Sequence, residues 1–133
     1  MAFKSSTVTS SKVAATLSNY PEFVLPSAIG MTTQAEVDSS RFYADSGKVV
    51  ERAREVVSTT EIHCLIESLT TTDVNYCDYD GVRADYAVTA TYGRNNVWSA
   101  YEVVTHLQSD GTDSSGNLTA TNTGVTFSAG KIG

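Results

Sequence analysis

Turn-forming residues cut this chain at short intervals, and that punctuation limits it to short elements. The cuts fall at Pro21, Pro26, Gly30, Asp45-Ser46-Gly47, Asp80-Gly81, Gly93 to Asn96 and Asp110 to Asn117. Proline presets one backbone angle, and Gly, Asn and Asp accept tight turns, so each cut ends the element before it. The runs between cuts are rich in Val, Ile, Thr and Tyr, whose branched or flat side chains suit a pleated sheet. Strands are expected at 6–10, 22–25, 41–44, 54–57, 61–66, 74–79, 84–91, 97–107 (in one or two pieces), 118–121 and 125–127. Many short strands with frequent turns predict an all-β fold, an antiparallel β-sandwich of jelly-roll-like kind. At 133 residues and 41% hydrophobic the chain can bury a core without a disulfide or metal to hold it.

One stretch disputes the all-strand reading. From Lys48 to Val57, the residues Val49, Val50, Ala53, Val56 and Val57 follow helical spacing. Glu51, Arg52, Arg54 and Glu55 would then face water. Read as sheet, the same stretch is two short strands with a kink near Ala53. Cys64 and Cys77 fit no zinc motif and are expected as buried free thiols. If 61–66 and 74–79 form a hairpin, a cross-strand disulfide is the alternative.

Charge excludes some partners. Nine basic against fifteen acidic residues give a net charge of −6, unsuited to a phosphate backbone. No apolar run approaches the ~20 residues of a membrane span. The first ten residues lack the apolar core of a secretory signal, so the chain is expected to be made and kept in the cytosol, or to leave it by lysis.

The search for chemistry is mostly negative. His63 and His106 lie in strand-like runs and are expected to be structural or solvent-facing. No nucleophile elbow, phosphate loop or dinucleotide fingerprint is present. Asp78 and Asp85 are the least unfavourable carboxylate pair for glycan cleavage. Asp110, Asp113 and Asn117 could offer oxygen ligands to Ca2+, as could the acidic cluster Asp73, Asp78, Asp80 and Asp85. Ordinary turn chemistry is the other reading of both groups. Tyr92, Trp98 and Tyr101 are candidates for stacking on a sugar or filling an interface; core packing is the alternative.

Three stretches, in order, resemble a known family. The first is Leu17-Ser18-Asn19-Tyr20-Pro21, followed by the run from Asp38 to Gly47 with Arg41-Phe42-Tyr43-Ala44-Asp45 inside it. The second is the strand from Glu61 to Leu69, in which His63 and Glu67 stand where that family has Trp and Pro. The third comprises Val97-Trp98, Val104-Thr105-His106-Leu107, Asp113-Ser114-Ser115-Gly116-Asn117 and the closing Gly130-Lys131-Ile132-Gly133. Together they are similar to a domain family of unknown function that precedes concanavalin-like (laminin-G-type) lectin domains in bacterial surface proteins and phage tail proteins. The resemblance implies a β-sandwich over 1–96 and the start of a lectin-like segment over 97–133. It also favours strands over the helix at Lys48 to Val57. In that family the lectin-like part runs on well beyond the position of Gly133. The strands of 97–133 are therefore expected to complete the first sandwich, to pair with a neighbouring chain, or to belong to a longer protein.

The combined expectation is a non-enzymatic bacteriophage virion protein: a capsid decoration, spike or tail-fibre component. It would assemble in the host cytoplasm, be released on lysis, and associate with itself and other virion proteins. Leu118, Val125, Phe127 and Ile132 are the expected assembly edge. The alternative is a carbohydrate-binding or adhesion module for a host-surface glycan. No cofactor is expected beyond Ca2+ at the Asp/Asn loop, and neither nucleic acid nor membrane insertion is expected.

Overall fold

A computed structural model describes residues 2–9, 15–70, 72–106, 111–121, 123, 124 and 126. Seven strands are found among them, in two antiparallel sheets that make an all-β, sandwich-like fold. The first sheet has the order β1 (Ala2–Thr9), β7 (Thr72–Tyr79), β3 (Arg41–Tyr43), β4 (Glu51–Arg52). The second has the order β2 (Leu17–Val24), β6 (Glu61–Leu69), β5 (Arg54–Ser58). The long pairs run in full register: Ala2 faces Tyr79 and Thr9 faces Thr72, while Leu17 faces Leu69 and Val24 faces Ile62.

Period-two alternation builds the core. Along β6, Ile62, Cys64 and Ile66 are fully buried, while Glu61, His63 and Glu67 retain contact with solvent. Ile62 and Cys64 meet Val24 of β2 and Phe42 and Cys77 of the opposite sheet in one cluster. Ile29 and Met31, and Val37 of the short helix α1 (Gln34–Asp38), extend that cluster. Helix α1 starts in a capping box: the Glu36 amide donates to the Thr33 hydroxyl at 3.3 Å, and the Thr33 amide donates to the Glu36 carboxylate at 3.0 Å. No helix among the described residues is long and apolar enough to cross a membrane.

The stretch from Lys48 to Val57 is not a helix. It is two strands split at Ala53, one in each sheet, and Arg52, Arg54 and Glu55 are buried rather than turned to water. This is the reading of two short strands with a kink near Ala53, and the helical alternative fails because the charged residues it would turn to water have partners inside. Strands β6 and β7 follow each other in sequence but belong to opposite sheets, so the hairpin that a disulfide would need does not form. Cys64 and Cys77 are free and buried, and burial pushes both thiols up, Cys77 to about 12.

Three expected strands are absent. Residues 84–91 run without ladder partners: Arg41 donates to the Ala84 carbonyl at 2.8 Å, and Arg54 pairs with Asp85 at 2.7 Å. Residues 94–97 form a helical turn, α2 (Arg94–Val97), and the Tyr101 amide then closes a turn on the Trp98 carbonyl at 2.8 Å. A single bridge, Thr105 to Asp113, is all the ladder that 97–106 contains. Residues 118–121 make no strand, and the expected strand at 125–127 lies largely outside the described residues. At 84–91 and 97–106 side-chain hydrogen bonds take up backbone groups that a ladder would have used.

A polar link crosses the core. Asn75 of β7 donates to the Glu22 carboxylate of β2, and Arg52 donates to Asn75 Oδ1 at 2.5 Å and to Asp73 at 2.9 Å. Burial pushes the Glu22 carboxyl up to about 7 against the pull of Arg52. The folded chain therefore keeps a proton that the unfolded chain releases above its ordinary value of 4.5. That contribution is complete below pH 4.5 and declines as pH rises through 7. Stability measured by urea unfolding is expected to fall between those pH values by on the order of 2 kcal/mol, after allowing for partial solvent screening. Glu22→Gln is expected to flatten that slope, and a Glu22→Gln protein with the wild-type slope would contradict this assignment.

Candidate functional site

The outer face of the second sheet carries the densest group of titratable and aromatic side chains described here. Glu61 and His63 lie two residues apart on β6 and so share a face. Glu55 of β5 stands directly opposite His63 in the ladder, which places it on the same face. The segment from the end of α2 onward folds over this face, with Val97, Trp98 and Val104 packed on Ala53 and Leu65.

Glu55 is the hub. Trp98 Nε1 donates to its Oε2 at 2.5 Å, Ser114 Oγ donates to its Oε1 at 2.5 Å, and His106 Nε2 lies 2.9 Å from Oε2. Burial alone would raise its pKa, but the hydrogen bonds from His106, Ser114 and Trp98 outweigh burial and hold the carboxyl below its ordinary range. The same bond to Glu55 raises His106 against the effect of burial. The two histidine rings stack at 5.1 Å, and the Trp98 ring meets His63 edge-on at 5.0 Å.

Asp113 holds the rest of the overlying segment. Its carboxylate accepts the amides of Val104 (2.9 Å), Ser115 (3.0 Å), Asn117 (3.1 Å) and Leu118 (2.9 Å), and the Ser115 hydroxyl. The Val104 amide leads, and with the other donors it keeps the carboxyl well below the usual carboxylate range despite burial. Asn117 Nδ2 donates to the carbonyls of Tyr101 and Glu102. These bonds are the turn chemistry that the Asp113–Asn117 spacing also allowed. Asp110 lies outside the described residues.

The three candidate aromatics are not brought together. Trp98 is 6% exposed and packs edge-on against Tyr101 at 5.5 Å, whereas Tyr92 pairs with Tyr86 at 6.0 Å. Tyr92 instead borders a shallow groove of about 300 Å3 with Glu51, Glu67, Asn96 and Ser99. The aspartates of the acidic cluster are all ion-paired: Asp73 with Arg52, Asp78 with Lys48 and Arg83, Asp80 with Arg83, and Asp85 with Arg54. Of the expected assembly edge, Leu118 is exposed and its amide is turned inward to Asp113, while Val125, Phe127 and Ile132 lie outside the described residues. Glu55 and Ser114 went unmarked in the sequence. The only signal for Glu55 was its place opposite His63, which depends on knowing the register.

No protein-family model, curated protein or solved structure matches this chain. The family resemblance rests on its three sequence stretches alone.

Replacing the Asp113 carboxylate removes the acceptor for four amides at once. Asp113→Ala is expected to speed hydrogen exchange at Val104, Ser115, Asn117 and Leu118 by roughly tenfold or more, with β6 and β7 amides unchanged. Exchange that stays at wild-type rates in that segment would show that the turn stands without Asp113.

Proposed function

We propose that this protein is a non-enzymatic structural component of a particle, a bacteriophage virion being the setting favoured by the sequence resemblance, and that it associates with further copies of itself through sheet edges. The observation that supports this reading is β1. It is an eight-residue strand at the outer position of its sheet, paired with β7 on one side and with nothing among the described residues on the other. Such an edge presents a row of free N–H and C=O groups, ready to pair with another strand. No proline or bulge interrupts it, and Lys4 is its one charged residue.

Apolar side chains add to the edge. Phe3 of β1 is 43% exposed at that edge, and Phe23, 56% exposed beside Leu25, offers a separate apolar patch on the second sheet. Burying such rings is worth about 1.5–3 kcal/mol each, enough to supplement backbone pairing. The expected edge at Leu118 gives way here to β1, because residues 118–121 form no strand.

A carbohydrate-binding role is the second reading, and the groove beside Tyr92 favours it. A tyrosine ring next to Glu51, Glu67 and Asn96 offers a stacking surface with polar groups around it.

Mass photometry and sedimentation of the purified chain test the assembly reading. Wild type is expected to form oligomers that grow with concentration, and Ser5→Lys, which charges the middle of the β1 edge, is expected to return it to monomer with unchanged circular dichroism. A wild-type protein that stays monomeric at every concentration and retains glycans on an array would replace this reading with the second one.

A further inference from the structure

The assembly reading leaves the paired histidines on the outer face of the second sheet without a task. Glu61, His63 and His106 each offer one metal-ligand atom within 4.8 Å of the other two. His63 Nε2 lies 2.8 Å from Glu61 Oε1, and His106 Nδ1 lies 3.5 Å from the same oxygen. Two nitrogens from opposite layers thus converge on one carboxylate oxygen.

The hydrogen bond behind His106 decides which of its nitrogens is free. Glu55 accepts from Trp98 on Oε2 and from Ser114 on Oε1, so His106 Nε2 is the donor in their 2.9 Å bond. In the neutral ring Nδ1 then presents a lone pair toward Glu61. A lone pair facing a carboxylate oxygen at 3.5 Å is repulsive unless a proton or a metal cation lies between them. The arrangement of carboxylate, histidine and open nitrogen is the one that orients metal-bound histidines and raises their basicity. Glu55 is itself fixed by Trp98 and Ser114, so the support is rigid.

Spacing and donor type agree with zinc. Around a tetrahedral ion with bonds of about 2.0–2.1 Å, ligand atoms stand roughly 3.3 Å apart. The 3.5 Å separation matches, and the 2.8 Å one needs to open by a few tenths of an ångström. Two imidazoles and one carboxylate suit Zn2+ and late first-row ions rather than Ca2+ or Mg2+. A metal on His63 Nε2 displaces the proton of its bond to Glu61 to Nδ1, which is buried with no hydrogen-bond partner among the described residues. The three side chains are 22%, 14% and 17% exposed, which leaves a route from solvent.

We propose that Glu61, His63 and His106 form a Zn2+-class metal site that fastens the segment carrying His106 to the second sheet, with one coordination position left for water or an outside donor. The competing state is a second proton on His106, bridging Glu55 and Glu61 without metal.

The test is calorimetric titration of the EDTA-treated full chain with ZnCl2, with CoCl2 as a spectroscopic probe. The expected result is one Zn2+ per chain, a tetrahedral Co2+ absorption without a thiolate charge-transfer band, and a Zn2+-dependent rise in Tm that Ca2+ and Mg2+ do not reproduce. His63→Phe keeps a ring against Trp98, and Glu61→Gln keeps the size of the side chain. Each is expected to weaken binding about tenfold or more while the metal-free Tm and circular dichroism stay near wild type. Absence of Zn2+ binding by wild type would overturn the proposal in favour of the doubly protonated histidine. Binding that survives both substitutions, or a thiolate band from Cys64 or Cys77, would also overturn it.

Discussion

Three charged side chains are buried within four residues of one crossing, and the rest of the fold is arranged around them. The chain passes from the first sheet to the second at Ala53, with Arg52 before it and Arg54 and Glu55 after it. A buried charge is tolerated only when paired and hydrogen-bonded, so each of the three dictates what must lie beside it. Arg52 draws Asn75 and Asp73 of β7, two strands away in its own sheet. Arg54 gathers the Ser40 and Asp38 carbonyls at the end of α1, together with Asp85 from the loop beyond β7. Glu55 takes Trp98, His106 and Ser114 from the covering segment. Four distant parts of the sequence are thereby fixed to one crossing. Removing a single partner from such a set costs far more than an exposed ion pair is worth, because the other charge stays inside.

The covering segment owes its place to this logic rather than to strand pairing. Between 97 and 118 the described backbone shares one bridge with itself, and no ladder joins it to a sheet. Its amides are satisfied by the Asp113 carboxylate, and its apolar residues Val97, Trp98 and Val104 are satisfied by Ala53 and Leu65. A sheet face with alternating polar and apolar residues would ordinarily be left to solvent. Here a third layer covers it, and the titratable groups Glu55, Glu61, His63 and His106 are trapped between layers as a result.

The sandwich was legible in the sequence because period-two alternation and turn residues are local signals. The runs at 61–66 and 74–79 lie within β6 and β7, and a break at Ala53 is where one of the two readings placed it. Helix α1 also left a local mark, Thr33 followed by Glu36, which is too short a signature to stand out beside strand signals. The misreadings concern residues whose partners lie far away. Valine, threonine and tyrosine at 84–91 and 97–107 have the composition of strands, yet Arg41, Arg54, Glu55 and Asp113 hold them by side-chain bonds. Composition reports what a segment could pair with, and only the register shows whether a ladder remains available. The site was hidden for the same reason: His63 and His106 are 43 positions apart in the sequence, and their stacking follows from the fold of a segment that no periodicity describes.

The four sheet edges are unequal, and their differences bear on how copies of such a protein could meet. Strand β4 has two residues, too few to template another chain. Strand β5 is irregular between Val56 and Ser58, and the Arg54 amide is already committed to the Tyr92 carbonyl. Strand β2 carries Pro21, which removes a donor from the middle of its run. Each is a recognised way of blunting an edge. Strand β1 has none of these devices, although it is as long as β2 and pairs with β7 along its whole length. Lys48 Nζ sits 4.7 Å from the centre of the Phe3 ring, and that ring stacks on Tyr76, so the described side chains organise the face of β1 and leave its outer backbone open. A fold that blunts three edges and spares the fourth has a direction in which pairing can proceed.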